Sequence, residues 1–163
     1  MKEVRRIDIP SGTDLTALYR EKVGNYPKFF KMDTLSKLGF LLTELLVEGE
    51  TDRFVPREDR AVVVCSRSGC VCNDRHYQAS TKEFPSPALF VYTLPNIVTG
   101  EIAIRNKYEG ETSAFVLDKF DRETFDSLVE TVFQDRTTRS AICCWIDCRD
   151  DSDWDATGFL FEK

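Results

Sequence analysis

The sequence predicts a layered α/β/α domain built on a mixed, mostly parallel sheet of about five strands. Two observations carry this prediction. Strand-like and helix-like segments alternate along the chain, and the last two strand-like segments are close enough to form a terminal antiparallel hairpin. The length of 163 residues is typical of one domain, so we expect residues 1–163 to fold as a single unit.

Three elements are predicted before residue 50. Residues 2–9 alternate weakly and end at a Pro-Ser-Gly turn, which indicates a short strand. Residues 14–23 have apolar side chains at helical spacing and stop at Gly24, which indicates a short helix. From residue 34 leucines recur every three or four positions until Gly49, the clearest helical pattern in the chain.

The middle of the chain combines a loop, a buried strand and an interrupted helix. Residues 50–60 are acidic and contain proline, which favours a solvated loop. Residues 61–65 (AVVVC) have the β-branched composition of a strand that is buried on both faces. Residues 86–105 are predicted to be helical, with a kink or interruption at Pro95.

The last third repeats the order of strand and helix. Residues 112–117 read as a strand, and Asp121 caps a helix with an apolar stripe that runs to residue 133. Residues 141–147 and 156–161 are two further strands joined by a short acidic turn.

Composition excludes several classes of protein. Apolar residues make up 42% of the chain, enough for a core, and 28 acidic residues against 22 basic ones argue against a nucleic-acid partner. No apolar run approaches the roughly 20 residues that span a bilayer. The charged N-terminus is not followed by an apolar signal segment, so we expect a cytoplasmic protein with no membrane partner and with free thiols at its six cysteines.

Residues 84–113 (FPSPALFVYTLPNIVTGEIAIRNKYEGETS) carry a resemblance to a known family. The segment has a helix led by proline, then an Asn, a Gly, the triplet IAI, and a turn with Gly110 and Ser113. This order resembles the β-ketoacyl (3-oxoacyl) acyl-carrier-protein synthases, in which the turn has the form Gly-x-Ser. Residues 31–46, 60–69, 141–147 and 156–163 resemble further segments of that family in the same order. The resemblance implies a thiolase-like fold, of which this chain would be the N-terminal half.

The resemblance also implies a missing nucleophile. Those synthases attack an acyl thioester with a cysteine thiolate at a helix N-terminus. Ungapped counting places Lys119 at that position. We expect Lys119 to be solvated and protonated, since Asp118 and Asp121 flank it. The two histidines of the family belong to its second half, whereas the only histidine here is His76, which we expect in a loop.

These departures predict a non-catalytic accessory subunit of fatty-acid or polyketide-type synthesis that requires no cofactor. The family pairs through the strand before the nucleophile, so the candidate interface is Thr112, Ser113, Ala114, Phe115, Val116 and Leu117. We expect a homodimer, or a heterodimer with a full-length condensing enzyme, with an acyl carrier protein as a further partner. Half of a two-half fold is also expected to expose part of its helix layer.

Two other hypotheses remain open from the sequence. One is an enzyme that acts on acyl thioesters, with Lys119 or a clustered cysteine as its nucleophile. The other is a metal-binding or redox module at Cys65, Cys70, Cys72 and His76. The spacing of these four is not a standard zinc pattern, and Cys65 is better explained as a core residue, so no metal is expected. The adjacent Cys143 and Cys144 should point to opposite faces of one strand.

Overall fold

A five-stranded sheet forms the centre of the computed structural model, which describes residues 1–163. The strands are β1 (Lys2–Asp8), β2 (Arg60–Ser66), β3 (Thr112–Val116), β4 (Ser140–Cys148) and β5 (Trp154–Glu162). The helices are α1 (Leu15–Lys22), α2 (Thr34–Leu46), α3 (Val71–Ser80), α4 (Pro87–Val91), α5 (Ile97–Asn106) and α6 (Arg122–Val132). A 3₁₀ turn covers Pro27–Lys31.

The sheet has the order β1-β5-β4-β2-β3 and is mixed, as predicted. β2 pairs in parallel with both β3 and β4, whereas β5 is antiparallel to both β4 and β1. Four strands therefore run in one direction and β5 runs against them. β4 and β5 form the predicted terminal hairpin, in register from Ser140 opposite Glu162 to Cys148 opposite Trp154.

Helices cover both faces of the sheet. α2 and α5 pack on one face over a core of 25 buried residues, and α6 packs on the other over a core of 12. Every residue of β2 and β4 is buried, as the β-branched run predicted for β2. Cys144 belongs to the larger core and Cys143 to the smaller one, because successive side chains of a strand point to opposite faces.

One helix was absent from the prediction. α3 places His76 on a helix, so the prediction that His76 lies in a loop is wrong. The sequence VCNDRHYQAS has no apolar stripe, and only Cys72 and Asn73 are buried along it. Periodicity therefore gave no signal for α3. The predicted interruption of the next helix is confirmed, since Pro95 lies between α4 and α5.

None of the helices combines the length and apolar character that a membrane crossing requires.

Candidate functional site

β3 forms one open edge of the sheet and contains five of the six candidate interface residues. The backbone N–H of Leu117 donates to Ser66, and the carbonyl of Glu111 accepts from Val62. Parallel pairing alternates with a period of two, so residues 111, 113, 115 and 117 bond to β2. The N–H and C=O groups of Thr112, Ala114 and Val116 therefore face away from the sheet, where another strand could add.

The two edges of the sheet differ in how they are protected. β1, the other edge, carries five charged residues among seven and has a register irregularity between Glu3 and Arg5. Charges and bulges are devices that prevent an edge from pairing with another chain. β3 has the sequence TSAFV, with no charge, no proline and regular register. Only the β3 edge is suited to add a strand from a partner.

β3 leads directly into the start of α6, where the resemblance places the nucleophile. Lys119 is exposed there, and no cysteine occurs between Cys72 and Cys143. The Asp121 side chain caps α6 by accepting hydrogen bonds from the Thr124 hydroxyl and N–H, which lower the pKa of Asp121. The Asp121 carboxylate thus occupies the backbone N–H of Thr124, which could otherwise bind an anion at the start of this helix.

The outer face of α6 is polar, so this helix does not supply the exposed apolar part that was expected of the helix layer. Its exposed residues are Arg122, Glu123, Thr124, Ser127, Glu130 and Thr131. Beside α6, the guanidinium of Arg6 lies 5.5 Å from the centre of the Phe159 ring, and that of Arg122 lies 5.3 Å from the same ring. Charged side chains thus cover the aromatic surface of the sheet on this face.

A polar cavity of about 560 Å³ lies on the opposite side of the sheet, between α2, α3 and the β4–β5 turn. Its lining includes Asp33, Thr34, Lys37, Cys72, His76 and Asp151. Cys72 and His76 are one helical turn apart on α3, a spacing that places both on one face of the helix. The turn between β4 and β5 brings Asp151 to this face.

Asp151 is the centre of a small polar cluster. Its Oδ2 lies 2.7 Å from Nε2 of His76, and its Oδ1 accepts hydrogen bonds from the Thr34 hydroxyl at 2.6 Å and the Cys72 thiol at 3.6 Å. Burial acts to raise the pKa of Asp151, but the hydrogen bonds from Thr34 and His76 outweigh it and lower that pKa. Asp151 is therefore a carboxylate at neutral pH.

The neighbouring thiols are not activated. Burial and the charge of Asp151 raise the pKa of Cys72 to about 12, and burial and Asp74 raise that of Cys70 to about 11. A nucleophilic cysteine needs a cation beside it and a lowered pKa. In a Cys-His-Asp triad the histidine stands between the other two, whereas here the carboxylate does. The cluster is therefore not built for covalent catalysis.

The structure brings together only two of the four candidate metal ligands. Cys65 packs in the core on the α6 face of the sheet, away from Cys72. The thiol of Cys70 donates to the carbonyl of Thr93 at 2.8 Å. Nothing in the sequence indicated that Asp151 would join Cys72 and His76, because Asp151 belongs to an acidic turn whose composition is typical of a solvated loop. Asp151 is 75 residues from His76 along the chain, and the two meet only in the folded structure.

Comparison with solved structures identifies the fold. The chain superposes with a TM-score of 0.71 and 16% identity on a structure described as a ketosynthase (ApeO) in complex with its chain length factor (ApeC) from Xenorhabdus doucetiae. It matches the ishigamide ketosynthase/chain length factor with a TM-score of 0.71 and 17% identity. This is a ketosynthase-like, thiolase-like fold. A β-ketoacyl synthase from Burkholderia phymatum STM815 is a more distant match, with a TM-score of 0.59 and 12% identity.

The structural matches include nearly all of this chain but only part of each matched chain. The three matches cover 99%, 93% and 87% of this chain, and 78%, 48% and 45% of the matched chains respectively. The chain thus spans about half the length of two of these structures. No protein-family model and no curated protein sequence matches it. The fold that the sequence resemblance implied is confirmed.

Proposed function

We propose that this protein is a non-catalytic ketosynthase-like subunit that pairs through β3 with a full-length condensing enzyme in polyketide-type or fatty-acid synthesis. The observation that carries the proposal is an unprotected edge strand that leads into a helix start without a cysteine. Two of the matched structures are described as ketosynthase and chain length factor proteins. The first is described as a complex of a ketosynthase with its chain length factor, which supports a heterodimer here.

The surroundings of β3 support an interface at this edge. Val116 is 61% exposed, and Val116 and Pro95 both lie beside Gly69. Leu94, next to Pro95, is also more than half exposed. Apolar side chains next to open backbone groups are what a partner strand and its flanking helix would cover.

The absence of an activated thiol supports the non-catalytic part of the proposal. The condensation would take place on the partner's cysteine, and an acyl carrier protein would deliver its substrate to that subunit. The role of this chain would be to complete and stabilise the partner's surface. The exposed position of Lys119 also supports a non-catalytic role for this chain.

The edge itself offers a sharp test. Ala114→Pro removes an N–H that faces away from β2, whereas Ser113→Pro removes one that bonds to β2. We expect Ala114→Pro to remain folded by circular dichroism but to lose co-purification with a co-expressed full-length ketosynthase of the same organism. Ser113→Pro should instead lower the unfolding midpoint. A folded Ala114→Pro variant that still binds the ketosynthase would contradict pairing through this edge.

Acyl transfer on this chain itself is the competing function. Incubation with acyl-CoA and acyl carrier protein substrates of several chain lengths, followed by intact-mass measurement, tests it directly. We expect no covalent adduct on the wild type. An adduct that disappears in Lys119→Ala would establish the enzyme instead.

A further inference from the structure

The cluster beside the polar cavity has the composition of a transition-metal site. We propose that Cys72, His76 and Asp151 bind one Zn²⁺ ion, with the fourth coordination position open toward the cavity. The thiol sulfur, the imidazole nitrogen and a carboxylate oxygen lie within 4.8 Å of one another. This inference is independent of the proposed function, because it does not involve β3 or α6.

The three ligand atoms lie close enough together for one zinc ion to gather them by small side-chain rotations. With Zn–S near 2.3 Å and Zn–N or Zn–O near 2.0 Å, tetrahedral angles separate a sulfur from an oxygen by about 3.5 Å and a nitrogen from an oxygen by about 3.3 Å. The Cys72 sulfur and Asp151 Oδ1 are 3.6 Å apart. His76 Nε2 lies 2.7 Å from the other carboxylate oxygen, Oδ2. Rotation of the exposed His76 and Asp151 side chains would have to place one carboxylate oxygen at zinc-ligand separation from both the sulfur and the nitrogen.

The chain holds these ligands in place without the ion. Cys72 and His76 share one face of α3, so the helix fixes their relative position. The Thr34 hydroxyl donates to Asp151, as outer hydrogen-bond partners of metal ligands do. The Arg75 guanidinium donates to the carbonyl of Arg149 and ties the β4–β5 turn to α3.

The ligand set favours zinc over other divalent cations. Calcium and magnesium take oxygen ligands, whereas a thiolate with an imidazole is typical of zinc and its borderline neighbours. Three protein ligands that border a cavity leave the fourth position for water or for a small ligand within the cavity.

Metal binding to the purified protein is the direct test. After removal of metal by a chelator and dialysis, we expect titration with Zn²⁺ against a chromophoric chelator to give one ion per chain. Cobalt substitution should give a thiolate-to-metal charge-transfer band and the strong visible bands of tetrahedral Co²⁺. Zn²⁺ should also slow alkylation of Cys72 by N-ethylmaleimide, as mapped by peptide mass spectrometry.

Single substitutions distinguish this site from adventitious binding. Cys72→Ser, His76→Gln and Asp151→Asn should each weaken zinc binding by at least about 100-fold. Cys70→Ser is the matched control, because this neighbouring cysteine bonds to Thr93 and is not part of the cluster, so its zinc affinity should equal that of the wild type. Circular dichroism of each variant establishes that it is folded.

The proposal would be overturned by a folded wild-type chain that binds no stoichiometric zinc, or by cobalt spectra without the charge-transfer band. Equal zinc affinity in Cys70→Ser and Cys72→Ser would have the same consequence. Loss of zinc binding would leave pairing with a ketosynthase intact, so the two proposals fail separately.

Discussion

Two aspartates that cap helices have their pKa values shifted in opposite directions. Asp33 accepts a hydrogen bond from the N–H of Ser36 at the start of α2, and Asp121 accepts one from that of Thr124 at the start of α6. Burial raises the pKa of Asp33 above its ordinary value despite its hydrogen bonds. Hydrogen bonds with Thr124 lower that of Asp121. The same capping geometry thus carries a different electrostatic effect at each helix.

The raised pKa of Asp33 predicts a gain in stability from Asp33→Asn. The folded state binds the Asp33 proton more tightly than the unfolded state does. The stability that this proton contributes is fully present below the ordinary pKa of aspartate and is lost as pH rises through the raised pKa. Asparagine keeps the cap and removes the charge. We expect a higher urea midpoint for Asp33→Asn than for the wild type at pH 7, with a smaller difference at pH 4, measured with chelator present.

Asp121→Asn is the control with the opposite sign. The stability that the Asp121 carboxylate contributes is present above the ordinary pKa of aspartate and is lost as pH falls through the lowered pKa of Asp121. This variant should therefore be less stable than the wild type at pH 7. If both variants shifted the midpoint in the same direction at pH 7, burial of Asp33 would not be the controlling effect.

At the scale of elements, α2 is held close to its neighbours by two glycines. Gly39 allows α2 to approach α5, since a Cβ there would collide with the side chain of Val98. Gly158 allows β5 to approach α2, since a Cβ there would lie 3.0 Å from Leu46 Cδ1. The close approach buries α2 almost completely and joins it to the larger core.

Alanine at two helical glycines should have opposite effects. Gly39→Ala overpacks the contact between α2 and α5, and we expect it to lower the free energy of unfolding by about 1–3 kcal/mol. A Cβ at Gly100, within α5, would have no atom within 4 Å, so Gly100→Ala should raise that free energy by about 0.5–1 kcal/mol. Urea titration measures both. Equal destabilisation by the two variants would refute the packing explanation.

At the scale of the whole molecule, the six cysteines are free and buried throughout the domain. Cys65, Cys143, Cys144 and Cys148 are at most 1% exposed, whereas Cys70 and Cys72 are 7% and 8% exposed. Burial raises the pKa of Cys65, Cys144 and the other core thiols, so they are protonated as well as inaccessible. Their role is to fill the core as small apolar groups.

This distribution predicts two classes of thiol. In native protein a thiol reagent should modify Cys70 and Cys72 before the other four, but slowly, because burial raises their pKa values. All six cysteines should react after unfolding in denaturant. Reductant should leave the unfolding midpoint unchanged. Fewer than six reactive thiols in denatured, unreduced protein would indicate a disulfide and contradict this expectation.

Local sequence patterns predicted the order of most elements, and the resemblance predicted the fold. The leucine pattern of α2, the β-branched run of β2 and the final hairpin are local signals, and each was confirmed near its predicted position. These signals suffice because helical periodicity and β-branched composition act over short segments. The candidate interface was also named from sequence, through the resemblance around residues 84–113.

Contacts between distant segments could not be predicted from local patterns and became visible in the folded chain. The tertiary structure placed β3 and β1 at opposite edges, formed α3 without an apolar stripe, and covered the α6 side of the sheet with arginines. It also brought Asp151 to Cys72 and His76. Such contacts depend on strand order and on where the β4–β5 turn lies relative to α3, and no pattern within one segment encodes them. The sequence specified the scaffold, and the packing of that scaffold created the polar cluster.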